Sequence, residues 1–277
     1  MKIGVFDSGL GGLTILKSVM QALPQYNYIY LGDTKHMPYG SRTQSDIYRL
    51  TRDAVDFLFA KDCVLVILAC NTASARALRK LQRTWLPKHY PNRRVLGVIV
   101  PTVEATIGVT RVGVLATPAT VKSGVYGKEF KKINPKAKVW TRQSKVLAGL
   151  IDAGKRELAQ LELARCIENL RKDGAREVLL ACTHYALLKD YARKKFKQLK
   201  IISQDEIVPR KLKDYLRRHR GIAGVLGKQQ QREYILTKRT PAFRKEIEQF
   251  SEDPRLRGKD FTVKTIKVES VIHKKSA

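Results

Sequence analysis

Acidic side chains are scarce in this chain of 277 residues. It carries 25 Asp and Glu residues against 54 Lys and Arg residues, so its formal net charge is +29 at pH 7. The basic excess is spread over all three thirds of the sequence, which argues against an appended basic arm. Because 43% of the residues are hydrophobic, the chain can bury a core, and a disordered or histone-like basic chain is excluded.

Long apolar segments and cysteines are also few. The longest apolar run, Cys63–Cys70, is far shorter than the roughly 20 residues of a membrane span, and the N-terminus turns polar at Asp7, so neither an export signal nor a membrane partner is predicted. Four cysteines are too few for a disulfide scaffold, which favours reduced thiols and a cytoplasmic location. No Cys or His pair has the close spacing of a zinc site, so no metal is predicted.

Short β-rich runs alternate with helical patterns from the first residue to about residue 205. This alternation is typical of α/β folds in which helices cover both faces of a parallel sheet. Amphipathic helices are predicted over 46–60, after Cys70, and over 155–172. The candidate strands are 2–6, 28–31, 63–69, 95–100, 112–116, 138–141, 177–181 and 200–202.

Two halves of the chain share a local pattern. An apolar run ending Ala69-Cys70-Asn71-Thr72 is echoed by one ending Ala181-Cys182-Thr183, which indicates a duplicated unit. We therefore predict two similar doubly wound parallel-sheet domains, of the flavodoxin or Rossmann type, that face each other across a central cleft. The first would comprise 1–100 plus 206–277, and the second 101–205. A strand at 233–237, a helix at 241–250 and a strand at 261–268 are expected to pack back onto the first domain.

Polar groups follow the predicted strands at their carboxyl ends, where open α/β sheets bind ligands. Cys70 and Cys182 lie at equivalent strand ends, so two thiols would face one ligand from opposite sides of the interface. Both precede helix-like segments, whose N-terminal dipole should lower the thiol pKa. Cys63 and Cys166 are interpreted as core residues. The strand-end segments are Asp7-Ser8-Gly9, Pro38-Tyr39-Gly40, Cys70-Asn71-Thr72, Thr117-Pro118-Ala119-Thr120 and Cys182-Thr183-His184-Tyr185.

A glycine-rich loop at 9–14 follows the first strand. It is not a dinucleotide fingerprint, because Thr14 stands where the third glycine would be, and it is not a P-loop, because no Gly-Lys-Ser/Thr follows. We interpret its glycines as allowing close approach of a small ligand carboxylate to the backbone.

Five ordered segments of this sequence resemble the glutamate racemases. The similarity spans about residues 3–190, and the final third matches loosely. The segments are Phe6-Asp-Ser-Gly-Leu-Gly-Gly-Leu-Thr14, Tyr30-Leu-Gly-Asp-Thr34 with Pro38-Tyr-Gly40, Ala69-Cys-Asn-Thr-Ala-Ser74, Leu115-Ala-Thr-Pro-Ala-Thr-Val-Lys-Ser123 and Ala181-Cys-Thr-His-Tyr185.

The resemblance implies an isomerase that racemises glutamate without a cofactor and supplies D-glutamate for peptidoglycan, with a homodimer expected. Cys70 and Cys182 would be the two acid/bases, and Asp7 and His184 would assist them. Asp152 stands where the family usually has Glu and is a candidate relay. The residues expected to bind the substrate are Asp7, Ser8, Pro38, Tyr39, Gly40, Asn71, Thr72, Thr117, Thr120, Thr183 and His184.

Two alternatives remain open at this point. One is racemisation of a related amino acid such as aspartate, although His184 favours glutamate because similar aspartate racemases typically carry Glu there. The other is a basic nucleic-acid-binding protein on a racemase scaffold. No aromatic-interleaved RNA motif accompanies the basic clusters, so we expect at most weak, non-specific polyanion binding.

Overall fold

The strands of the computed structural model form two separate sheets in residues 1–239 and 260–265, which are the residues that the structure describes. Every pairing within both sheets is parallel. The strands are β1 (Lys2–Asp7), β2 (Tyr28–Gly32), β3 (Cys63–Leu68), β4 (Arg94–Gly97), β5 (Arg111–Ala116), β6 (Lys138–Gln143), β7 (Glu177–Ala181), β8 (Lys200–Ser203), β9 (Gln231–Leu236) and β10 (Asp260–Thr265).

Helices connect nearly all of these strands. Short 3₁₀ segments at Tyr39–Ser41 and Thr183–Leu188 and a π-helical turn at Leu81–Trp85 complete the regular structure. The helices are α1 (Gly12–Ala22), α2 (Gln44–Ala60), α3 (Asn71–Arg76), α4 (Leu78–Lys80), α5 (Leu86–His89), α6 (Ile99–Glu104), α7 (Pro118–Ser123), α8 (Val125–Ile133), α9 (Leu147–Asp152), α10 (Arg156–Lys172), α11 (Lys189–Lys195), α12 (Gln204–Arg218) and α13 (Arg220–Val225).

The strand order is β10-β9-β2-β1-β3-β4 in the first sheet and β6-β5-β7-β8 in the second. The central strands β1 and β3 are almost entirely buried, as expected for parallel strands covered by helices on both faces. The prediction of two parallel-sheet α/β domains is confirmed. Since parallel strands end at the same edge, Asp7 at the end of β1 lies beside Gly32 of β2, and β3 ends two residues before Cys70.

The connection between the sheets differs from its predicted form. The strand expected over 95–100 ends at Gly97, and α6 begins at Ile99. Pro101 falls in the first turn of this helix, where a missing backbone N–H breaks no helical hydrogen bond. The connection from the first sheet to the second therefore begins with a helix.

The chain returns to the first sheet through α12. The buried Val208 and Leu212 of this helix pack in the same core as Leu13 and Leu16 of α1, and β9 then pairs with β2. We propose the domain limits near residues 100 and 206 on this basis. The predicted helix at 241–250 and the end of the predicted strand at 266–268 lie outside the described residues.

No helix in the described ranges is both long enough and apolar enough to cross a bilayer.

Candidate active site

A small cavity lies where strand ends of the two sheets meet, and thiols from both sheets line it. It encloses about 40 Å³. Among the described residues, none that lines it is Lys or Arg, so any charge there comes from acids, His184 or the thiols. Asp7 and Thr120 lie behind the wall and do not line it. The lining residues are Ser8, Gly9, Met37, Pro38, Tyr39, Gly40, Cys70, Asn71, Thr72, Thr117, Ala148, Asp152, Cys182, Thr183 and His184.

Cys70 caps the N-terminus of α3. Its backbone is extended, and its Sγ accepts from the backbone N–H of Ala73 at 3.4 Å. The Oγ of Ser8, which follows β1, lies 3.2 Å from the same sulfur. The thiol is 5% exposed, so two polar groups hold it in an otherwise closed site.

The pKa of Cys70 departs from the sequence prediction. Burial is the largest influence, and with the nearby charge of Asp7 it raises the pKa of the thiol to about 12, although Ser8 and Ala73 act in the opposite direction. The predicted lowering by the helix terminus is wrong, because desolvation outweighs one weak N–H contact. The surroundings of Cys70 in the structure therefore favour its thiol form.

Cys182 follows β7 directly and enters the 3₁₀ segment. Its Sγ lies 3.7 Å from Nδ1 of His184, and Nε2 of the same imidazole lies 2.9 Å from Oδ1 of Asp152 at the end of α9. These side chains form a row of carboxylate, imidazole and thiol that ends at the cavity. The structure thus brings Asp152 into contact with His184 despite a side chain one methylene shorter than Glu.

The charge on His184 depends on its two neighbours. Burial lowers its pKa, but Asp152 and Cys182 stabilise the protonated ring, and together they raise the pKa of His184 well above its usual value. Through Nδ1 the protonated imidazole can donate to the Cys182 sulfur when that sulfur is a thiolate.

Asp7 is completely buried behind Cys70 and Thr183. The backbone N–H of Gly9 donates to its Oδ2 at 3.0 Å, and the hydroxyl of Thr183 lies 3.5 Å from its Oδ1. Burial raises the pKa of Asp7, although His184 and two backbone N–H groups oppose that rise. The charge of Asp7 therefore acts on His184, which lies next to Cys182, from behind the cavity wall.

Two glycines of the first loop are required by the packing of the protein itself. A Cβ on Gly11 would lie 2.5 Å from Oγ1 of Thr183 and 2.7 Å from Nδ1 of His184, and a Cβ on Gly12 would overlap Asp7. Both positions therefore require glycine for packing within the protein, and close approach of a ligand carboxylate to this loop stays a prediction. Gly9 does line the cavity.

Three threonine hydroxyls join the two domains across the cavity wall. Oγ1 of Thr72, at the start of α3, lies 2.9 Å from that of Thr117 and 3.3 Å from that of Thr120. Thr117 also caps α7, with the backbone N–H of Thr120 donating to its hydroxyl at 3.4 Å. This group of hydroxyls offers neutral hydrogen-bond donors at one end of the cavity.

A loop from the first domain lines the cavity beside Thr117. Pro38 follows a cis peptide bond, and the Tyr39 hydroxyl donates to Oδ2 of buried Asp33 at 2.6 Å. Gly40 packs against Thr117, since a Cβ on Gly40 would lie 3.1 Å from Cβ of Thr117. These contacts place all three predicted loop residues at the cavity.

Sequence reasoning missed several residues near the site. Met37 and Ala148 line the cavity, while Gln204 and Tyr126 hydrogen-bond to the side chain of Asn71. Gln204 follows β8 directly, so the rule that ligands gather at strand ends could have drawn attention to it. Cys63 and Cys166 are buried in core clusters, as predicted.

Comparison with known proteins identifies the family. Residues 8–208 match the family model described as Asp/Glu/Hydantoin racemase. The chain belongs to this racemase family. It is therefore an enzyme of the isomerase class, as the resemblance implied.

Individual relatives of this racemase-family chain agree with that assignment. A glutamate racemase from Roseobacter denitrificans is 41% identical over 81% of this chain and 88% of that protein. An isoform of glutamate racemase from Bacillus anthracis superposes with a TM-score of 0.83 at 28% identity, covering 96% of this chain and 97% of that one. A glutamate racemase from Francisella tularensis, solved with D-glutamate, gives a TM-score of 0.82 at 27% identity over 97% and 98% of the two chains.

Proposed function

We propose that this chain interconverts L-glutamate and D-glutamate without a cofactor, with Cys70 and Cys182 as the two acid/bases. The observation that carries the proposal is that thiols from the two different sheets line one small cavity. The names of the curated and solved relatives support glutamate as the substrate.

Two thiols are suited to this reaction because inversion at Cα needs a base on one face and an acid on the other. One sulfur, as thiolate, takes the Cα proton, and the electron pair left on carbon takes a proton from the S–H on the opposite face. The two sulfurs then have exchanged protonation states, and the product has the opposite configuration. The same two groups perform the reverse reaction with their roles exchanged.

The neighbours of each sulfur account for its ionisation. Burial raises the pKa of the Cys70 thiol to about 12, and the substrate ammonium would supply a positive charge that stabilises its thiolate. Protonated His184, 3.7 Å from Cys182, would stabilise the second thiolate. Asp7 and Asp152 keep His184 and the substrate ammonium in their charged forms.

The carboxylates of the substrate would be held by neutral donors. The hydroxyls of Ser8, Thr72, Thr117 and Thr183 face or border the cavity, and no Lys or Arg side chain belongs to its described lining. The wider basic surface would raise the local concentration of the anionic substrate.

The size of the cavity predicts that the enzyme opens to admit its substrate. A volume of about 40 Å³ has room for roughly three waters, at about 10–15 Å³ each, which is too little for a glutamate molecule. Separation of the domains at α6 and α12 would admit it, and reclosure would exclude water from the thiols.

Turnover of two amino acids tests the proposed substrate. Incubation of the purified protein with L-glutamate is expected to end at equal amounts of both enantiomers, measured by chiral chromatography, while L-aspartate is converted at least about 10²-fold more slowly because one missing methylene misplaces its Cα relative to the thiols. Comparable rates with aspartate, or turnover of aspartate alone, would replace glutamate with the alternative substrate.

The biological role and the assembly are further parts of the proposal. We propose that the D-glutamate made by this chain serves peptidoglycan synthesis in the cytoplasm, which rescue of a D-glutamate-requiring bacterial strain would test.

We propose a homodimer from the exposed apolar side chains Val146, Leu158 and Leu161 on and beside α9 and α10, which are 52%, 52% and 64% exposed. A monomeric mass in analytical ultracentrifugation would contradict it.

The charge of +29 predicts weak binding to polyanions. We propose that this binding is electrostatic and independent of nucleotide sequence, so its affinity for random duplex DNA should fall about 10³-fold or more between 50 and 200 mM salt. Fluorescence anisotropy with two unrelated duplexes measures it. Sequence preference, or affinity retained at 200 mM salt, would instead favour the nucleic-acid-binding alternative.

A further inference from the structure

Two buried amide side chains meet one residue away from the Cys70 thiol. Gln204 is the first residue of α12 and Asn71 is the first residue of α3, and each is 2% exposed. The Asn71 Nδ2 donates to Oε1 of Gln204 at 2.5 Å, and Gln204 Nε2 donates to Oδ1 of Asn71 at 3.2 Å. The paired amides fix the orientation of Asn71, the residue that follows Cys70.

Tyr126 and the α6 region complete this buried cluster. The Tyr126 hydroxyl donates to Oδ1 of Asn71 at 2.7 Å. Gln204 Nε2 also lies within 3.1 Å of the hydroxyls of Tyr126 and Thr102, and 3.3 Å from the carbonyl of Val98. Because these groups are buried, removing the Gln204 amide would leave the Asn71 Nδ2 group without the acceptor that Gln204 Oε1 provides, which is costly.

The cluster lies where the chain passes between the two sheets. Val98 and Thr102 belong to the outward connection, Gln204 begins the return connection, and Tyr126 lies on α8 of the second domain. Asn71 alone belongs to the strand-end turn that carries a thiol. A relative movement of the domains would therefore act on the Cys70 turn through Asn71.

We propose that Gln204 is a positioning residue for Cys70. Gln204 holds the Asn71 amide in place, and Asn71 in turn fixes the position of the Cys70 turn relative to both connections between the sheets. This inference rests on the proposed function, in which Cys70 exchanges a proton with Cα. Proton transfer requires the sulfur to be aligned with the Cα–H bond, and displacements of about 1 Å can slow such steps as much as 10²-fold. The adjacent amide contacts set that alignment.

Kinetic isotope effects separate a positioning role from a structural one. Gln204→Met keeps the side-chain length but removes both hydrogen-bonding groups, and it is expected to lower kcat about ten-fold while KM changes less than kcat. With α-deuterated substrates, the isotope effect should rise for the enantiomer whose proton Cys70 removes and should not rise for the other. Cys70→Ala identifies that enantiomer, because it loses Cα–H exchange in that one alone.

A smaller change and a control accompany this variant. Tyr126→Phe removes one hydroxyl from the cluster and should give the same asymmetry with a smaller loss of kcat, which also covers the case in which Gln204→Met does not fold. Val208→Ala, on the same helix but in the α1 core, should lower the Tm and leave both isotope effects unchanged.

The outcomes distinguish the inference from the function on which it rests. The positioning role of Gln204 would be overturned by either of two results in Gln204→Met and Tyr126→Phe. The isotope effects could stay unchanged, or they could rise equally for both enantiomers. If Cys70→Ala racemises glutamate like the unaltered enzyme, the two-thiol proposal itself fails.

Discussion

Replacing Cys70 or Cys182 with alanine is expected to slow racemisation of glutamate about 10³-fold or more, because each variant lacks the acid or base needed on one face of Cα. Each variant still keeps one thiol in the cavity. In deuterated water that thiol can remove the proton from one enantiomer and return deuterium to the same face. Cys70→Ala and Cys182→Ala should therefore label opposite enantiomers without interconverting them, as NMR of the Cα position can measure.

Cys166→Ala is the matched control for these variants. Cys166 is buried in the core of the second domain and does not line the cavity, so its loss should leave the rate within about two-fold. Undiminished racemisation in Cys70→Ala, or the same enantiomer labelled by both active-site variants, would contradict the assignment of one thiol to each face.

The second large effect is expected at Asp152, whose Oδ1 lies 2.9 Å from Nε2 of His184. Asp152→Asn should lower kcat about 10²-fold at neutral pH, since His184 loses the carboxylate that keeps it protonated beside Cys182. Burial, which lowers the pKa of His184, remains in the variant. The pH at which activity falls on the alkaline side should therefore move to lower values in the kcat profile.

The same ion pair makes a prediction for stability. A raised pKa of His184 in the folded state stabilises the protein below the unfolded value of about 6.5, and this contribution is lost as pH rises through the folded pKa. Asp152→Asn should hence be destabilised relative to the unaltered enzyme near pH 6, with the difference shrinking as the pH rises. Urea unfolding at several pH values measures it.

Two further variants sharpen the test of Asp152. Asp152→Glu keeps a carboxylate within reach of His184 and should leave the alkaline limb close to its original position. Asp173→Asn makes the same chemical change at a half-exposed carboxylate paired with Arg142, and it should alter neither kcat nor the pH profile. If the alkaline limb of the kcat profile does not shift in Asp152→Asn, the Asp152 carboxylate does not control the pKa of His184.

Local patterns were sufficient to predict the sheets and the strand-end positions of both thiols. Strands such as Cys63–Leu68 are buried on both faces, so their apolar runs stand out in the sequence, and parallel topology brings their carboxyl ends together. The place of Cys70 and Cys182 followed from that geometry.

The features that sequence reasoning missed depend on contacts between distant segments. The pKa of Cys70 is raised mainly by burial in the folded protein, and the first glycine loop packs against His184 from the other domain. Gln204 meets Asn71 across 133 positions of sequence, and neither residue alone has an unusual local pattern. The sequence predicts a strand up to residue 100, whereas α6 begins at Ile99, because Val98, Ile99 and Val100 continue an apolar run.

The most direct measurement of the two-thiol account follows the first turnovers of the unaltered enzyme in deuterated water. Starting from L-glutamate, the D-glutamate formed should carry deuterium at Cα while the remaining L-glutamate keeps its proton, and D-glutamate should give the mirror-image result. This pattern follows because the thiol that delivers the new proton is a different group from the one that removed the old proton. Transfer of the original proton to the product, or early deuterium in the unreacted substrate at the rate of product formation, would indicate a single base and contradict the account.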